Sequence, residues 1–152
     1  MNVLRAVALK RASLVAATVA AVSAAALGLA PTAGATSTNI DTWSSFWQPC
    51  GTYMCLYYSP NLTNASWTPS GTSDADLSGN KFGNHGTGSA GAGQVVRNNA
   101  ASMGNNTTNC HVTVFYSPSF KGDSNWLHAG HAGNLNTRLR NNDASIRVDS
   151  CT

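Results

Sequence analysis

His128 and His131 stand three residues apart beside Gly130, a spacing that invites a zinc reading. Zinc takes three or four ligands. The sequence offers no evident third, so the pair reads as loop histidines. Hydrolysis would need a nucleophile with its base and orienter, or two cooperating carboxylates. Asp74 and Asp76 are the close carboxylate pair, and the chain has no Glu. No Gly-x-Ser-x-Gly, His-Glu-x-x-His or phosphate loop occurs. No catalytic residue is assigned, and the chain reads as a non-enzyme.

The elements that could position any chemistry follow a leader. Arg5, Lys10 and Arg11 precede an uncharged, mostly apolar run from Ala12 to Ala30. Pro31 breaks the run, and Ala33-Gly34-Ala35 supplies a small-x-small cleavage pattern. Residues 1–35 therefore read as a signal peptide of a secreted, extracellular protein. The run is long enough for a bilayer, but it is Ala-rich and leads into the cleavage pattern, so no membrane attachment is expected after cleavage. Three of the nine Lys and Arg lie in the leader, leaving six against six Asp. That balance, with no basic cluster interleaved with aromatics, argues against a nucleic-acid partner. Residues 36–152 suffice for one domain with a real core. Few charges and many Gly, Ser, Thr and Asn residues predict an all-β chain. The four cysteines fall after the leader, which in an exported protein means two disulfides with three connectivities open.

The chain repeats itself. Leu56-Tyr57-Tyr58-Ser59-Pro60 matches Val114-Phe115-Tyr116-Ser117-Pro118, 58 positions on, and each copy then reaches a Trp, Trp67 or Trp126. Val96-Arg97-Asn98-Asn99-Ala100-Ala101-Ser102-Met103 matches Leu139-Arg140-Asn141-Asn142-Asp143-Ala144-Ser145-Ile146, 43 positions on. Two segments agreeing in order and chemistry mark an internal duplication. The drop in offset places about 15 extra residues of the first copy in the loop Thr68 to Gly93, with a short strand expected around Asp76-Leu77 and a Gly content that predicts mobility. Strands are expected at Met54–Tyr58, Val112–Tyr116 and Ile146–Val148, where β-branched and aromatic residues concentrate. Leu56 and Tyr58 would share a face, as would Val114 and Tyr116. Trp43, Phe46 and Trp47 fit one helical turn or an apolar strap.

Phe115-x-x-x-x-Phe120-x-Gly122 resembles the folded-hairpin signature of βγ-crystallin Greek keys, and Tyr57-x-x-x-x-Leu62-x-Asn64 is a conservative departure from it. Gly, and to a lesser degree Asn, tolerates the positive φ such a hairpin needs. Cys50-Gly-Thr-Tyr53-Met-Cys55-Leu56-Tyr57 is similar to the opening of secreted bacterial βγ-crystallin-like proteins grouped as peptidase inhibitors, whose type member inhibits metalloproteinases. The resemblance implies a sandwich of two Greek-key motifs: an arm at 36–49, then a domain at 50–152 with motif one at about 50–108 and motif two at about 109–151. It also implies disulfides Cys50–Cys55 and Cys110–Cys151, because the last strand of a Greek key returns beside its first.

The Asn-Asn-x-x-Ser segments resemble the family's calcium signature, though Met103 and Ile146 stand where a final Ser is usual. By that resemblance Asn99 and Asn142 would offer side-chain oxygens, Ala100 and Asp143 backbone carbonyls, and Ser102 and Ser145 hydroxyls. With Asp143 the one carboxylate in either segment, affinity would be about 10⁻⁴–10⁻³ M. The same residues would also simply close turns. No cofactor is required on either view. The function implied is a monomeric, secreted inhibitor that sterically blocks an extracellular protease, with Thr68 to Gly93 as the candidate contact loop. The alternatives are a calcium-stabilised structural module and a secreted antagonistic toxin. Asn61, Asn64, Asn105 and Asn106 open Asn-x-Ser/Thr triplets, read in a bacterial protein as turn residues.

Overall fold

The computed structural model describes residues 34–45 and 53–152. Residues 1–33 of the expected signal peptide, Phe46, Trp47 and the Cys50 end of the expected Cys50–Cys55 link lie outside the described residues. Among those described, nine strands form two sheets: β1 (Ser37–Asn39), β2 (Met54–Ser59), β3 (Thr63–Trp67), β4 (Ser73–Asp74), β5 (Ser102–Asn105), β6 (His111–Ser117), β7 (Lys121–Leu127), β8 (Ala132–Asn134) and β9 (Ser145–Asp149). One sheet runs β3-β2-β5-β8 and the other β1-β7-β6-β9-β4. The short strand β4 belongs to motif one but pairs with β9. Strand β8 belongs to motif two but pairs with β5. Each motif thus lends a strand to the other's sheet, and neither sheet is complete alone.

Alternation fixes which residues face inward. Val112 and Val114 of β6, Leu127 of β7 and Ile146 of β9 meet Met54, Leu56 and Met103 from the other sheet in one core. Long loops add Leu77, Phe82, Val96, Leu135 and Leu139 to it. The duplication extends to backbone conformation: Asn61, Leu62 and Asn64 have positive φ, as do Ser119, Phe120 and Gly122, and Asn98 repeats as Asn141. Both hairpins close by one device. Ser102 Oγ accepts from Leu62 N at 3.1 Å and donates to the Ser59 carbonyl at 2.7 Å. Ser145 Oγ accepts from Phe120 N at 3.0 Å and donates to the Ser117 carbonyl at 2.7 Å.

The disulfide Cys110–Cys151 joins the residues just outside paired strands β6 and β9. In the segment before residue 46, β1 adds a parallel edge strand to β7. Trp43 bridges to Ala132 and packs on Cys55, Tyr57, Leu62 and Ala132, on the far side of β2 from the main core. Two expectations are corrected. Asp76-Leu77 is not a strand: Asp76 caps a 3-10 turn over Leu77–Gly79, its carboxylate accepting from Ser78 N, and the strand lies earlier, at Ser73–Asp74. Tyr116 does not share Val114's environment. The register slips between Phe115 and Ser117, and Tyr116 is 49% exposed.

Candidate functional site

A steric inhibitor needs an exposed segment whose backbone is already fixed, since ordering a loop on binding lowers affinity. A segment that meets this description joins β5 to β6, the junction of the two motifs. Asn105 ends β5 with its side chain fully buried. Its Nδ2 donates toward the carbonyls of Cys110 at 2.9 Å, His128 at 2.9 Å and Leu127 at 3.2 Å. Its Oδ1 accepts from Thr107 N at 2.9 Å and Thr107 Oγ1 at 2.7 Å. Thr107 Oγ1 also lies 2.7 Å from the Cys110 carbonyl, so its hydroxyl proton serves one of the two acceptors. Asn106 N donates to the Tyr53 carbonyl at 2.8 Å. At the far end, Asn109 Nδ2 donates to Thr152 O at 2.9 Å and Thr152 N to the Asn109 carbonyl, beside the disulfide. None of residues 106–110 has positive φ. Thr108 and Asn109 project into solvent above this bracing. Hollows of about 300 and 350 Å³ flank them, one toward Ala129 and Gly130, the other toward Tyr53, Thr72 and Val148.

Sequence reasoning passed over this loop because it is short. The available signal was Asn105-Asn106-Thr107 leading into Cys110, taken as a turn. The buried Asn105 is the structural centre of the loop rather than an exposed acceptor.

The loop Thr68 to Gly93, favoured from its length, is anchored to the molecule at several points. Leu77 and Phe82 lie in the core. Leu77 N donates to the Ala144 carbonyl, Ser66 and Gly83 exchange both backbone bonds, and Ala65 N donates to the Ala90 carbonyl. Four of its seven glycines stand in close packing, Gly83, Gly86, Gly88 and Gly91. A Cβ on Gly91 would stand 2.1 Å from the Tyr58 ring, and one on Gly86 would stand 1.6 Å from the Asn64 carbonyl oxygen. Exposed residues run along the whole loop, from Thr68 through Asp76 and Lys81 to Gly93, with the stretch around Asn84, His85, Thr87, Ser89 and Ala90 among them.

Of the six residues of the calcium signature, Ala100 and Asp143 meet across the junction of the motifs as hydrogen-bond partners, while the side chains of Asn99, Asn142, Ser102 and Ser145 bond within their own motifs. Asn98 N donates to the Asp143 carbonyl at 2.8 Å, and Asn141 N to the Ala100 carbonyl at 2.9 Å. Ala100 N donates to Asp143 Oδ1 at 2.9 Å. Asn99 Nδ2 donates to the Val95 and Arg97 carbonyls, and Asn142 Nδ2 to the Arg140 carbonyl. The hydroxyls of Ser102 and Ser145 are buried and committed to the hairpins. In this arrangement the two hydroxyls serve the hairpins, each of the two carbonyls accepts one amide, and Asp143 Oδ2 is sealed from solvent and makes no hydrogen bond. Burial pushes the Asp143 carboxyl up to about 7, against the pull of the Ala100 and Asn99 amides.

The histidine pair has more company than its spacing suggested. The His111 ring stacks on Trp126 at 4.7 Å and meets His128 edge-on at 4.9 Å, and His131 lies 5.7 Å from His128. His128 Nδ1 lies 2.6 Å from Asp41 Oδ2. Partial burial alone would raise the Asp41 carboxyl, but its bonds from His128 hold it below the usual range.

The sequence model of peptidase inhibitor family I36 matches residues 52–127, half of the chain. No curated protein matches the chain. Among solved structures, one described under the evolution of the eye-lens βγ-crystallin domain fold aligns with a TM-score of 0.52 at 18% identity, covering 70% of this chain and 94% of that one. A βγ-crystallin domain from Flavobacterium johnsoniae aligns at 0.46 and 18% identity, covering 64% of this chain and 94% of that one. The N-terminal domain of protein S gives 0.45 and 18%, covering 64% and 96%. The first of these carries the fold: two interlocked Greek keys of the βγ-crystallin kind.

Proposed function

The chain belongs to peptidase inhibitor family I36, and from that premise we propose that it blocks an extracellular peptidase with the loop between Asn105 and Cys110. The observation that supports this reading is the bracing of an exposed tip by the buried Asn105 amide at one end and the Cys110–Cys151 link at the other. Such a segment enters a cleft in the shape it already has, and little ordering entropy opposes binding. Thr108 and Asn109 would make the first contact, and the flanking hollows would admit side chains from the rim of the cleft. Folding fixes the loop; no chemistry on the inhibitor's own residues is required.

The test is a titration of the purified chain against a thermolysin-like metalloprotease and a subtilisin-like serine protease. Its integrity is followed by mass. Stoichiometric inhibition of either, weakened at least tenfold by a Thr108→Gly/Asn109→Gly double variant of unchanged melting temperature, supports the loop. Inhibition that the double variant retains in full moves the contact elsewhere on the domain, with the stretch around residues 84–90 next to be tested. No inhibition of either enzyme by a folded, disulfide-bonded sample counts against the inhibitory role.

A further inference from the structure

We propose that His128, His131 and His111 form a binding site for a divalent transition ion that prefers imidazole, with Zn²⁺ as its simplest occupant. The fold brings together what the sequence kept apart. His111 opens β6, while His128 and His131 flank the turn from β7 to β8. Ring-centroid separations of 4.9 and 5.7 Å bracket the spacing of about 5 Å between imidazoles that share a tetrahedral zinc at about 2.0–2.1 Å per Zn–N bond.

The tautomers favour coordination as well. The partner of His131 Nδ1 is the Ala129 carbonyl at 2.9 Å, and that of His128 Nδ1 is the Asp41 carboxylate. Both partners only accept, so in each neutral ring the proton sits on Nδ1 and the Nε2 lone pair is left for a ligand. An imidazole whose second nitrogen donates to a carboxylate or a backbone carbonyl is the usual outer arrangement of metal-binding histidines, and it raises the basicity of the ligating nitrogen. His111 has no hydrogen bond at either ring nitrogen among the described residues. It is therefore the ring able to turn on its Trp126 stack toward the other two. That turn is required, because among the described residues no three such side chains already stand in a coordinating array. Three imidazoles suit a metal that prefers nitrogen ligands, whereas calcium and magnesium take oxygen.

The site has its own reporter. Trp126 lies 4.7 Å from the His111 ring and 4.8 Å from the His128 ring. The experiment titrates the purified chain with Zn²⁺, reading melting temperature, and with Cu²⁺, reading tryptophan emission. We expect a saturable rise in melting temperature and saturable quenching. Both should be lost in a His128→Ala/His131→Ala variant, weakened about 10–100-fold in Asp41→Asn, and unchanged in His85→Ala, a histidine exposed elsewhere on the surface. His111→Ala should lower affinity without abolishing it. No response in the wild-type chain overturns the site, and so does a response that survives loss of both His128 and His131. Neither readout involves a peptidase, so this result stands or falls apart from the inhibitory role.

Discussion

The two segments that interrupt the sheets differ in a way that runs against their lengths. Thr68 to Gly93 is long and rich in glycine, yet it sends Leu77 and Phe82 into the core and lays its backbone along β3. Asn106 to Cys110 is five residues, yet its tip is exposed and its base is held by a buried amide and a disulfide. The long loop compensates for an asymmetry between the motifs. It covers Tyr58, which meets Phe82 edge to face at 5.8 Å, while the matching Tyr116 of motif two has no such cover and remains exposed. An exposed segment becomes a binding element when its shape is fixed before the partner arrives; length alone does not supply that.

The sharpest division between the two loops comes from Phe82→Ala. Phe82 is 2% exposed within the main core, so truncation should cost about 3–5 kcal/mol. The melting temperature falls steeply, while inhibition per folded molecule stays at the wild-type level. A variant that keeps its stability but loses inhibition would show that the long loop is the contact surface after all.

Asp143 gives the same division through pH. It sits beside Ala144, whose carbonyl holds Leu77 of the long loop. Burial raises its folded-state value to about 7, above the ordinary value of about 3.9, so the fold favours the neutral form. Its contribution is fully present below about pH 4 and is lost as pH rises through about 7. Each tenfold difference in proton affinity between the folded and unfolded chain is worth at most about 1.4 kcal/mol. Asp143→Asn should flatten the melting-temperature profile between pH 4 and 8 and raise it at the alkaline end. Inhibition by folded protein should not follow that profile. An unchanged profile in the variant would assign the slope to another group.

Asn105→Ala tests the short loop and should cost about 2–3 kcal/mol, since several buried carbonyls lose their donor. Here, in contrast to Phe82→Ala, inhibition should fall more than the folded fraction does. Equal losses in both would make Asn105 a packing residue only.

The duplication was legible in the sequence because both copies keep the residues that the backbone demands. Asn64 and Gly122 occupy positive φ, and so do Asn98 and Asn141. The Cys110–Cys151 pairing followed from the motif order, and β6 and β9 lie side by side as a Greek key requires. The strands exchanged between sheets were not legible. Strands β4 and β8 are two and three residues long, too short for an alternation signal, and are set by tertiary pairing. The candidate loop was missed because its evidence is the number of partners that one buried amide finds, which no spacing reveals. The serines were legible but not their partners: Asn-Asn-x-x-Ser describes calcium donors and hairpin closures equally well, and the hairpin bonds of the two hydroxyls emerge only in the fold.

That distinction yields the smallest effect, an expected zero. If calcium bound at the junction beneath the long loop, millimolar calcium would stabilise the fold by mass action, by about 0.4–1.4 kcal/mol at one to ten times Kd. The junction is instead closed by amide-to-carbonyl bonds and by Asp143 Oδ1. Ser102 and Ser145 are already used in the hairpins. The melting temperature should be the same in millimolar calcium and in chelator, for the wild-type chain and for Asp143→Asn alike. A calcium-dependent rise seen in the wild type and absent in Asp143→Asn would mean that the serine hydroxyls leave their hairpins for an ion, and that the junction under the long loop is a binding site rather than a closed joint.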